Sequence, residues 1–306
     1  MDIAASILVA VMMASTPLLL AALGELITEK SGVLNLGVEG MMLVGAVCAF
    51  AVAHQSGNAY FGVIAGALAG VLLSALFAVL VLVLLTNQVA TGLALTLFGL
   101  GLSALIGKNL VGQPIPRLPV LSIPGISDLP VIGPLLFGHD LLVYLSLALT
   151  FLAHRVITRT RLGLTLRAVG ESPQVAHGLG LSVRRVQLMA ILTGGALSGL
   201  GGAYLSLAYT PMWAENMTSG RGWIALALVV FGTWRPLRVL AGAYLFGAMT
   251  LAQLHLQGLG VPIPSQFLSM LPYLATVLVL VLMSRDAVRI KLNAPAALGK
   301  SFHPDR

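Results

Sequence analysis

Charge is scarce in this chain. Of its 306 residues only 9% are Asp, Glu, Lys or Arg, and ten of those are acidic; a soluble domain carries about a quarter. Hydrophobic residues make up 58% of the sequence and the mean hydropathy is +0.98. No polar stretch is long enough to form a separate soluble domain, so the chain is read as an integral membrane protein. The single cysteine, Cys48, excludes an intrachain disulfide and any cysteine-based metal spacing. The histidines at 54, 139, 154, 177, 255 and 303 show no ligand spacing, so no metal site is expected. A Walker A loop is also missing. The two Gly-Lys pairs, Gly107-Lys108 and Gly299-Lys300, have Leu102 and Ala294 where that loop needs its first glycine. ATP hydrolysis is therefore not expected in this chain, and no catalytic residue is nominated. The start, Met1-Asp2-Ile3-Ala4-Ala5-Ser6, lacks a basic n-region, so the first apolar segment is expected to stay as a membrane helix.

What is present is a series of long apolar runs, near 3–23, 38–54, 60–85, 89–107, 140–157, 187–209, 221–234, 237–256 and 266–284. About 20 residues of helix cross the ~30 Å of hydrocarbon. The expectation is one all-α membrane domain over 1–306, a polytopic bundle of about eight to nine transmembrane helices. Segments 38–54 and 221–234 are short enough to be tilted, broken or re-entrant. A faint repeat, apolar helix, polar break and Gly-rich helix, joins 15–50 to 222–249, and paired broken segments often mark a transport path. Gly62, Gly66 and Gly70 share one helix face, as do Gly195 and Gly199, which suits close helix packing.

The net charge is +7, but its basic residues cluster in short loops and orient the chain in the bilayer, so nucleic acid is not an expected partner. Segment 158–186 holds Arg159, Arg161, Arg167, Arg184 and Arg185 against one acid, Glu171. The positive-inside rule places it in the cytoplasm, with the tail 285–306, and leaves the proline-rich loop 108–139 outside. Nine crossings put the N-terminus outside; one re-entrant segment would move it inside. Within 158–186, Ser172 and Pro173 form a helix start, Gly178 and Gly180 a stop, and Ser182 a second cap. This describes a short rigid helix held beside the membrane. A solvated basic loop that only sets topology is the competing reading.

Polar residues at the entrance of an early apolar run stand apart. In Gly24-Glu25-Leu26-Ile27-Thr28-Glu29-Lys30-Ser31-Gly32-Val33-Leu34-Asn35-Leu36-Gly37-Val38-Glu39-Gly40, Asn35 and Glu39 share a helix face if the helix starts early enough. A carboxylate deep in the bilayer is costly. Glu39 is thus expected near the interface as a cap, paired with a group such as Lys30, or lining a polar path. Tyr209, Trp213 and Trp223 read as an interfacial belt or, alternatively, as a surface that receives an aromatic or sugar ligand, and Trp234 reads as an interface anchor. Asp140 reads as an N-cap.

The 24–43 segment resembles the N-terminal region of permease subunits from ATP-driven bacterial importers, closest to the nucleoside group, whose relatives carry simple sugars and branched-chain amino acids. The run Arg161, Gly163, Arg167, Ala168, Gly170, Glu171, Pro173, Ala176 and Gly178 resembles that family's cytoplasmic coupling segment. The resemblance implies that this run couples to the ATPase, and Gly32, Asn35, Gly37, Glu39 and Gly40 are candidates for the translocation path. It also implies a bacterial inner-membrane location, a second and different permease chain, an ATPase with two fused cassettes that uses ATP and Mg, and an extracytoplasmic binding (lipo)protein. No cofactor is expected on this chain itself. Nucleosides are the expected cargo, with ribose-like sugars or branched-chain amino acids as alternatives. A secondary transporter acting alone would need more ionisable residues within its spans.

Overall fold

The computed structural model describes residues 3–121, 137–258 and 293–303, with scattered positions between 264 and 281. Ten helices are named here: α1 Ile3–Lys30, α2 Val38–Ser56, α3 Ala59–Val83, α4 Gln88–Gly107, α5 Leu141–Arg159, α6 Arg161–Glu171, α7 Pro173–Gly178, α8 Val183–Tyr209, α9 Arg221–Phe231 and α10 Pro236–Gly258. Seven helices among the described residues are long and apolar enough to cross a membrane; α9 is too short. The run expected at 266–284 lies largely outside the described residues.

Local chemistry sets the helix starts. The side chains of Asn58, Asn87 and Asp140 accept hydrogen bonds from Tyr60 N, Ala90 N and Leu142 N at 2.9, 3.0 and 3.0 Å. Burial raises the Asp140 carboxyl above the usual carboxylate range, opposed by its backbone N–H partners. The last five residues of α3 and of α8 widen into π-helical turns. The first apolar run extends past its expected end at 23, because Glu25, Glu29 and Lys30 all find partners inside the protein. The two arms of the suspected repeat differ sharply: α1 has 28 residues where α9 has 11.

Packing converges on α8, which lies against α1, α2 and α3 with backbone nearly touching backbone. A Cβ at Gly24 would lie 2.6 Å from the Gly194 carbonyl oxygen, and one at Gly45 would lie 2.6 Å from Gly199 Cα. At Gly70 it would strike the Gly195 carbonyl oxygen and lie 2.9 Å from Gly199 Cα. The two glycine faces anticipated from spacing therefore meet each other. Small residues permit this approach where lipid gives helices no hydrophobic reason to associate. The opposite side of α3 presents Phe61, Ile64, Leu68, Leu72 and Leu76, all exposed at helical spacing.

At one end of the bundle the loop after α4 pairs with the loop after α8 through the bridges Val111–Trp213 and Pro114–Met212. Trp213 is buried against Gly107, so it is not part of an interfacial belt. At the other, arginine-rich end lie α6 and α7.

Gly70→Val is expected to destabilise the bundle by about 1–3 kcal/mol through overpacking. Gly101→Ala, where a Cβ meets nothing within 4 Å, should leave it unchanged. Thermal unfolding in detergent compares the two.

Candidate functional site

Two structures at and near the arginine-rich end are candidates for function, and one segment of chain joins them. The first is the pair α6–α7. Thr160 accepts a hydrogen bond from Gly163 N at 3.2 Å and starts α6; Ser172 accepts one from Val175 N at 3.4 Å, with Pro173 in the first turn of α7. The Thr160 cap was not anticipated. Ser182 makes no side-chain cap, contrary to expectation.

The family-matched residues divide by direction. Gly163, Gly170, Pro173 and Ala176 are buried, Ala168 is half-buried, and Arg161, Arg167, Glu171 and Gly178 are exposed. Arg167 also donates from Nε to the Gly163 carbonyl at 3.3 Å. Beside these polar groups the outward surface carries four apolar side chains: Leu162 and Leu179 are 76% and 77% exposed, and Leu164 and Val175 are 61% and 62% exposed. None of these four was singled out from the sequence. Their signal in the sequence is leucines interleaved with arginines in a short polar segment.

The second structure is the short helix α9 and its two tethers. Glu39, 4% exposed, accepts hydrogen bonds on Oε1 from Thr218 Oγ1 at 2.5 Å and Gly220 N at 2.8 Å, and on Oε2 from Gly222 N at 2.5 Å. A carboxylate at a helix N-terminus satisfies the free N–H groups and faces the positive end of the dipole. The site is deep. A Cβ on the adjacent Gly40 would lie 2.6 Å from the Leu95 carbonyl oxygen. Leu95 is about 10 Å into α4 at 1.5 Å per residue. Glu39 is therefore a cap, one of its expected roles, and is not paired with Lys30, whose Nζ instead donates to the Asn293 carbonyl at 2.8 Å. Only Gly222 fits here, since a Cβ would lie 2.6 Å from both Glu39 Cα and N.

The far end of α9 is held by Glu29, which accepts from Trp234 Nε1 at 2.5 Å. Thr233 and Trp234 both have positive φ, 48° and 52°, a conformation side chains avoid unless their surroundings impose it. The Glu29 bond on one side, and the 2.6 Å bond from Arg238 to Thr233 Oγ1 on the other, impose it here. Trp234 is thus a buried tether and not an interface anchor. At about 16 Å, α9 spans half the hydrocarbon.

Between the two tethers runs the 31–37 loop. Glu25 accepts from Asn35 N at 2.9 Å, Asn35 Oδ1 from Gly37 N at 2.9 Å, and Gln88 Oε1 from Leu34 N at 2.8 Å. Thr96 Oγ1 donates to the Leu36 carbonyl at 3.0 Å. Gly32, Asn35, Gly37, Glu39 and Gly40 are consequently all buried within this subunit. At Gly32 the loop meets α6. A Cβ there would lie 3.3 Å from Gly170 Cα, and a Cβ on Gly170 would strike the Lys30 carbonyl oxygen. The exposed α6–α7 pair thus abuts, backbone to backbone, the segment whose other end carries Glu39.

A family model described as the permease component of the branched-chain amino acid transport system matches residues 7–283. The chain belongs to this family. A Haloferax volcanii protein, named provisionally as a glucose ABC transporter permease, is 40% identical, covering 99% of each chain. The nucleoside ABC transporter permease NupC of Lactococcus lactis is 34% identical over 94% of this chain and 93% of its own. The guanosine permease NupQ of Bacillus subtilis is 32% identical over 87% and 88%. Each of these three organisms also holds a more distant relative, 24–25% identical, named for the same substrate. No solved structure matches. The protein is a multi-pass ABC transporter permease of the nucleoside and sugar group.

Replacing Glu39 by Gln turns one acceptor into an N–H group facing other donors. Leaving a buried donor unpaired costs about 1–3 kcal/mol. Glu39→Gln should therefore lower the unfolding temperature clearly, and Thr218→Val, which removes one hydroxyl donor, should lower it less. Equal melting of both variants and the parent would contradict the clamp.

Proposed function

We propose that this permease forms half of the membrane path of an ATP-driven importer for nucleosides, and that α6 and α7 receive the stroke of a separate ATPase. The observation that carries the coupling role is the apolar surface of Leu162, Leu164, Val175 and Leu179 on two short helices whose inner side is locked to the 25–39 segment. Apolar side chains exposed on a rigid polar-rimmed element suit a protein groove. By the positive-inside rule the arginine-rich end and the C-terminal tail lie in the cytoplasm of a bacterial inner membrane. ATP and Mg bind the partner, since neither Gly-Lys pair of this chain belongs to a Walker A loop.

The second permease is a different chain. In three organisms the similar relative is accompanied by a distant one named for the same substrate. An extracytoplasmic binding protein delivers cargo at the end formed by loops 108–121 and 210–220.

Closure of the ATPase moves α6 and α7. Gly170 passes the displacement by backbone contact to Gly32, and the tied 31–37 loop carries it to Glu39. Glu39 draws on Thr218, Gly220 and Gly222 and re-aims α9, so the 32–40 segment and α9 gate the path. Two relatives named for nucleosides or guanosine support a nucleoside cargo. The relative named for glucose favours a sugar as the second reading.

Uptake of labelled uridine, guanosine, glucose and ribose, with and without the gene, separates the cargoes. Loss of uridine and guanosine uptake alone is expected; loss of glucose uptake alone would favour the sugar. Leu162→Asp together with Leu179→Asp should release the ATPase on purification and cut uptake about thirtyfold, the scale of a buried interface anchor. Full copurification with this double variant would overturn the docking surface.

A further inference from the structure

The C-terminal stretch 293–303 is fastened across the arginine-rich end. Its contacts fall on both sides of the joint between α6 and the 31–37 loop. Ala297 N donates to the Gly170 carbonyl at 3.0 Å, and two residues later Gly299 N donates to the Gly32 carbonyl at 3.2 Å. The strap thus bonds each of the two glycines whose backbones meet. Lys30 Nζ holds the Asn293 carbonyl, and Gln88 Nε2 donates to the Lys300 carbonyl at 3.3 Å. At its end Phe302 is buried in a cluster with Val169 of α6, Ala176 of α7 and Val183 of α8, and its ring lies 5.6 Å from that of His177.

We propose that this C-terminal strap is the positioning element of the coupling joint, making α6 and the 31–37 loop move as one body. The inference rests on the coupling role proposed above for α6 and α7. Two glycines in contact share only a few dispersion contacts, each weak, and have no side chains to interlock. A joint of that kind slides under load. Two hydrogen bonds from one short strand, one to each partner, tie it against sliding, and Phe302 pins the strand to both docking helices. Nothing in the strap is needed for the glycine packing along α8, so its loss leaves the bundle folded. The exposed leucines of α6 and α7 also stay outside its contacts, so the ATPase can still dock.

The test uses the complete transporter in lipid vesicles, measuring ATP hydrolysed and labelled uridine and glucose moved. The variants are a chain ending at Pro295, Phe302→Asp and Phe302→Leu. The expected result is retained ATPase and continued hydrolysis, with solute moved per ATP lower by about fivefold or more for the first two, the scale of a lost coupling between sites. Phe302→Leu, which refills the apolar cluster, should restore most of the ratio. An unchanged ratio in the truncated chain overturns the proposal. So does a proportional fall of copurification, hydrolysis and transport, which is the signature of a merely structural segment. The double aspartate variant at Leu162 and Leu179 runs alongside. If it keeps its ATPase, the coupling reading itself falls and the strap's role falls with it; if it loses the ATPase while truncation changes nothing, only the strap proposal falls.

Discussion

Backbone contact along α8 underlies the other features of this fold. Gly194, Gly195, Gly199 and Gly202 bring the helix against α1, α2 and α3 so closely that an added Cβ would meet carbonyl oxygens of its neighbours. In a bilayer, lipid tails are as apolar as leucine, so association depends on dispersion, on hydrogen bonds and on fit. Glycine makes the fit close, and close fit makes the core stiff. A stiff centre lets displacement at one end of the bundle appear at the other without being absorbed between.

The second constraint is the cost of carboxylates in an apolar medium. This chain buries Glu25, Glu29 and Glu39, and each accepts hydrogen bonds from a different element. Glu29 and Glu39 hold the two ends of α9, and Glu25 holds the loop between them. The same desolvation penalty that makes such groups rare makes these ties hard to break, because release would strand both a buried polar group and its donors. The half-length helix is thereby fixed to the segment that meets α6.

Much of this was legible beforehand. Apolar run length gave α2, α3, α4, α5, α8 and α10 to within a few residues, and the short 221–234 run proved to be the half-length helix. The caps at Asp140 and Ser172 and the glycine faces at 62–70 and 195–199 followed from local chemistry and helical spacing. The errors were of one kind. Residue type places Trp213 and Trp234 at the interface and leaves Glu39 open between a cap, an ion pair and a polar path, whereas their burial depends on partners more than a hundred residues away: Gly107 for Trp213, Glu29 for Trp234, and Thr218 and Gly222 for Glu39. The exposed leucines of α6 belong to no motif, since glycine, arginine and proline carry the family likeness.

Apolar length, charge distribution and capping are local properties, so residues alone suffice to show a polytopic helical membrane protein, its basic end, and most helix starts and stops. Which glycine meets which, which donors satisfy each buried carboxyl, and the lacing of Gly170 to Gly32 by residues 297–299 emerge from the fold. Those are pairings across long sequence separations. Their energies come from close approach and complete hydrogen bonding, and these exist only once distant segments are placed side by side.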